Sequence, residues 1–185
     1  DLKRYGLIET PRFIRDGPFT FFILLNFNKK LKRRSIFKAL NMFLPIVAVC
    51  IFVLGVCRLE IKNVHAGGEF NLPLLVFLSM CSIILHEAGH LLAAISDGRK
   101  IDHMGITFWS IILVGAFVSV DDKINSRKSD QIQFLLAGVE VNLLIAGVCL
   151  ILTDRYYDWS YTLFSLAIVN IAFIISNLMP IPGSD

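Results

Sequence analysis

Four long apolar runs, residues 39–57, 73–96, 132–153 and 159–179, organise the chain, with shorter polar stretches between them. About 20 mostly apolar residues in a helix cross roughly 30 Å of hydrocarbon, so each run predicts a membrane-spanning helix. The first and last hold no charged residue, whereas the second carries His86, Glu87 and His90 and the third carries Glu140. An ionisable group at that depth is costly and by default marks a functional site. A fifth run, residues 104–120, is nearly as long. Its β-branched residues, with Gly105, Thr107, Ser110, Gly115 and Ser119, predict a hairpin rather than a helix. The expected fold is an all-α polytopic membrane protein: four transmembrane helices with a membrane-associated β-hairpin between the second and third. Residues 1–28 read as loop, ending in an apolar stretch at 19–25 that is too short to cross and is expected at the membrane surface.

Composition narrows the class. With 185 residues, 55% apolar, 18% charged and a mean hydropathy of +0.66, an ordinary soluble domain is excluded. A formal charge of +3 gives no support to nucleic-acid binding. The basic cluster Lys29, Lys30, Lys32, Arg33, Arg34 and Lys38 reads as a topology signal. Fifteen Lys and Arg side chains fall in the arm and in the segment between the second and third helices, against three (Arg58, Lys62, Arg155) on the other side. That asymmetry predicts a cytoplasmic N-terminus, hairpin and C-terminal end, with Tyr156, Tyr157, Trp159 and Tyr161 at the outer interface. Cys50, Cys57, Cys81 and Cys149 lack C-x-x-C spacing and are expected to be small buried side chains rather than disulfide partners. The chain starts without Met and stops at Asp185 in a Pro/Gly-rich turn, so it reads as part of something longer. Three regions are expected: a cytoplasmic basic arm (1–38), an additional helix (39–57) and a core that holds the ionisable membrane residues (73–185).

His86-Glu87-Ala88-Gly89-His90 is an H-E-x-x-H pattern on a predicted helix. At 100° and 1.5 Å per residue the two imidazoles lie about 40° and 6 Å apart, within reach of one zinc ion. Glu87, one step round, suits a general base for zinc-activated water. Such a site needs a third protein ligand. Downstream candidates are Glu140, His103 and Asp185, and helix depth is compatible with both Glu140 and Asp185.

These residues resemble the site-2 proteases, intramembrane zinc metalloproteases. H-E-A-G-H at 86–90 is one match. Ala137-Gly138-Val139-Glu140-Val141-Asn142 is similar to the family's G-P-x-x-N stretch, with Val139 in place of proline. Asn177-x-x-Pro180-x-Pro182-x-x-Asp185 is similar to its N-x-x-P-x-P-x-x-D-G, and residues 104–120 resemble its membrane-associated hairpin. The resemblance implies zinc held by His86, His90 and Asp185, Glu87 as the catalytic residue, and Asn142 and Asn177 as substrate-binding or supporting groups. Glu140, a departure from the pattern, is expected beside a zinc histidine, with a substrate-facing or protonated buried role as alternatives; Asn170 is expected to be interhelical glue and His103 an ordinary surface histidine. The implied activity is cleavage of membrane-anchored proteins or peptide precursors near the cytoplasmic face of a bacterial cytoplasmic membrane, in a compact, peptide-processing branch. Two other readings stay open: a zinc-binding membrane protein or transporter that does not cleave, and a gluzincin-like membrane protease with Glu140 as third ligand.

Overall fold

The computed structural model describes residues 12–15, 20–26, 35–59, 69–99, 101–109, 112–120 and 128–179. In chain order it comprises strands β1 (Arg12–Arg15) and β2 (Thr20–Asn26), helices α1 (Ser35–Arg58) and α2 (Leu72–Asp97), strands β3 (Ile101–Trp109) and β4 (Ile112–Val120), helix α3 (Lys128–Arg155), a short 3₁₀ turn (Tyr157–Trp159) and helix α4 (Ser160–Leu178). All four helices are long and apolar enough to cross a membrane, and the hairpin sits between the second and third as the composition predicts. The arm differs from its expected loop. Both β1 and β2 join the hairpin in a four-stranded antiparallel sheet ordered β1-β2-β3-β4, with Phe22 opposite Thr107 and Leu24 opposite Gly105. Residues 20–26 are strand-length and aromatic-rich, which suits lateral pairing on β3 once the hairpin exists.

Helix α2 begins at Asn71, whose side-chain oxygen accepts the Leu74 N–H at 3.0 Å, with Pro73 in the first turn. It stops at Gly98, left-handed at φ 69°, where the Gly98 and Arg99 N–H groups turn back onto the Ile95 and Ala94 carbonyls. That stop delivers the chain directly into β3. Helix α1 contains Pro45, which removes the helical donor for the Asn41 carbonyl; Gln133 Nε2 of α3 donates to that carbonyl at 3.3 Å instead. Farther along, a Cβ on Gly147 would lie 2.6 Å from Phe52 Cα, so glycine lets α1 and α3 touch backbone to backbone.

Ala48, Ala93, Ala94, Ala137, Ala146 and Ala167 are fully buried between helices, while Phe43, Ile46, Val53, Phe77, Leu85 and Ile168 face outward. Small inside and large apolar outside is the arrangement of a bundle solvated by lipid. Cys50 and Cys57 share that outward face, contrary to the expected burial, and only Cys149 is buried. They lie seven residues apart on the lipid side of α1, where apolarity reports the solvent and not a core. Tyr156, Tyr157, Trp159 and Tyr161 cluster, exposed, at the bundle end remote from the sheet.

Candidate metal centre

Helix α2 turns Ser82, His86, Gly89, His90 and Ala93 inward, and all are buried. The His86 and His90 Nε2 atoms approach to 3.2 Å, with ring centroids 4.9 Å apart at 75°. Each ring is held at its far nitrogen by α3. His90 Nδ1–H donates to the Phe134 carbonyl at 2.8 Å, and His86 Nδ1 lies 3.0 Å from the Asn142 amide nitrogen. A carbonyl only accepts, so the neutral His90 ring keeps its lone pair on Nε2.

The His86 tautomer depends on Asn142. With the amide nitrogen towards the ring, His86 Nε2–H donates to His90, and the buried Asn142 Oδ1 has no hydrogen-bond partner among the described residues. Turning the amide gives Oδ1 the His86 Nδ1–H and leaves two lone pairs facing each other at 3.2 Å, which a shared cation would stabilise. Space for that ion is provided by Gly138: a Cβ there would overlap His86 Nε2 and lie 2.6 Å from His90 Nε2. Donor atoms of His86, Glu87 and His90 all fall within 4.8 Å of one another. The orphaned amide oxygen, the glycine-lined space and the His/His/Glu donor set together fit a zinc-type ion.

A cavity of about 200 Å³ opens beside the two histidines, lined by Leu135, Leu136 and Val139 of α3 and by Asn177 and Leu178 of α4. Asn177 therefore reaches the site from the last turn of α4. A second cavity, about 260 Å³, joins Glu87 and His90 to Val118, Ser119 and Val120 of β4. Asn142, rather than Glu140, is the side chain at His86 Nδ1. Glu140 is two residues beyond Gly138, about 200° round the helix, and shares the heptad-spaced face of Gln133 and Gly147 that meets α1; its Oε2 has no partner among the described residues. Asn170 is fully buried and bonds Ser82 Oγ at 3.3 Å and its own helix at the Leu166 carbonyl. His103 stands on β3 opposite Ser119. Asp185, Pro180 and Pro182 lie outside the described residues.

Phe134 escaped the sequence reading. Its carbonyl fixes His90, its ring packs 5.1 Å from the His90 ring, and the Arg99 guanidinium sits 5.1 Å over that same ring. Position 134 is one turn before Gly138, so helical periodicity from the glycine was the available signal.

The model of peptidase family M50 matches residues 74–157, a range that includes nearly all of α2, the hairpin and all of α3. No curated protein and no solved structure matches the chain.

Proposed function

From the premise that residues 74–157 belong to peptidase family M50, the site-2 protease family of metalloproteases, we propose that this integral membrane protein is an intramembrane zinc endopeptidase. Its substrates are membrane-anchored proteins or peptide precursors, cut near the cytoplasmic face. One observation carries the reading: two imidazole Nε2 atoms converge at 3.2 Å with both far nitrogens tied to α3 and a glutamate beside them.

His86 and His90 would hold zinc, and Asp185 would complete the ligand set. When bound, zinc supplies an acidified water, pKa about 7, and a Lewis acid for the scissile carbonyl. Glu87 takes the proton from the attacking water on its carboxylate and delivers it to the leaving amine nitrogen. Asn142 holds the His86 ring, and Asn177 faces the cavity from which a peptide approaches. A transmembrane helix hides its peptide bonds in its own hydrogen bonds. The outer edge of β4, which no described strand occupies, offers main-chain partners to a substrate pulled into extended form. The position of Glu140 towards α1 supports Asp185 over Glu140 as third ligand.

Glu87→Gln is the test. Reconstituted in vesicles with a membrane-anchored peptide, the variant keeps zinc and loses at least about 100-fold in cleavage. Cleavage equal to the parent overturns the hydrolase reading. In the same assay Asp185→Asn loses zinc and Glu140→Gln retains it; the reverse result makes Glu140 the ligand.

A further inference from the structure

Helix α2 has a second working face. Ile84, Ala88 and Leu91, at i, i+4 and i+7, point towards the hairpin, about 140° from the histidine face, and Glu87 lies on the boundary between the two faces. Between this face and the sheet is a third cavity, about 150 Å³, lined by Ile84, Glu87, Ala88 and Leu91 of α2 and by Met104, Gly105, Ile106, Ala116 and Phe117 of the hairpin. Apart from Glu87 its lining is apolar. An apolar cavity of about that size admits a benzene-sized guest.

We propose that this cavity is a specificity subsite: it receives one substrate side chain within two residues of the scissile bond and selects an apolar group of about leucine to phenylalanine size. The inference rests on the proteolytic reading above and adds what the enzyme selects. Two observations single out a substrate side chain as the occupant. Glu87 lines both this cavity and the one containing His90, so a group seated here is adjacent to the reacting centre. The hairpin strand β4 also runs past both, with Ala116 and Phe117 at the apolar cavity and Val118, Ser119 and Val120 at the catalytic one. A strand rises about 3.3 Å per residue, so a peptide following β4 with its scissile bond at the second cavity brings a side chain to the first within one or two residues. Ile106 faces Ala116 across the ladder and Gly105 faces Phe117, whose ring lies so close over Gly105 that any Cβ there would collide with it. Ile106, Ala116 and Phe117 thus set the size of the space.

The experiment uses the full chain in vesicles with membrane-anchored peptides that carry Ala, Leu, Phe, Trp or Lys at each position of one apolar segment, and reads the product ends by mass spectrometry. The parent enzyme places Leu or Phe at one fixed position within two residues of the cut, with Trp and Lys at least about 10-fold less frequent. Ile106→Ala and Phe117→Ala admit Trp at that position, whereas Ala116→Leu moves the preference to Ala. Phe117→Leu stands in where the alanine variant fails to fold. Cleavage without a fixed preference, or a preference unchanged in every variant that folds, overturns the subsite while leaving the protease reading intact. No cleavage by the parent above the Glu87→Gln background overturns that reading, and the subsite with it.

Discussion

The closest constraint in the molecule acts on single atoms. Gly138 is the residue whose absent side chain makes room beside both Nε2 atoms, so Gly138→Ala is expected to abolish stoichiometric zinc even though alanine is the better helix former. Elemental analysis of the purified variant, with circular dichroism to confirm helix content, checks this. Asn142→Ala removes the amide whose oxygen, turned to the ring, would select the metal-binding tautomer of His86, and is expected to weaken zinc affinity about 10- to 100-fold, measured by competition with a chromophoric chelator. The cluster of His86, Glu87 and His90 was legible in the sequence because H-E-x-x-H encodes its geometry in helical spacing. The grip on His90 was not, since a backbone carbonyl has no residue signature and Phe134 reads as one more apolar residue. Glu140 was expected beside a zinc histidine as a departure from the family pattern; helical geometry puts it about 200° from Gly138, on the face that Gln133 and Gly147 turn to α1.

Among the elements, α1 stands outside the matched range yet packs along α3, the helix that carries Phe134, Gly138 and Asn142. Gly147→Leu drives a side chain into the Phe52 backbone, and the expected cost is about 1–3 kcal/mol. A lowered unfolding midpoint in detergent, with zinc content retained by the variant that remains folded, is the measurement. The four spans and the hairpin were readable from run length and residue class. Strands β1 and β2 were not: residues 20–26 show no alternation of polar and apolar positions, and their partner β3 is some 80 residues away.

For the whole molecule, the sheet, the start of α1, the end of α2, the start of α3 and the end of α4 share one end of the bundle. The Lys and Arg asymmetry predicts that this end is cytoplasmic. Reporter fusions at residues 28 and 179 are expected to report the cytoplasm and an insertion at residue 64 the opposite face; the inverse pattern refutes the orientation. Metal possession and helix register are tied together by the way each imidazole is tethered. Because α3 grasps the rings from behind, a slip of α3 along α2 by even a fraction of a turn would tear the Phe134 and Asn142 anchors from their nitrogens together. On the proposed reading a zinc ion held by both rings would rivet neighbouring spans, and chelation is expected to loosen the assembly as well as silence it.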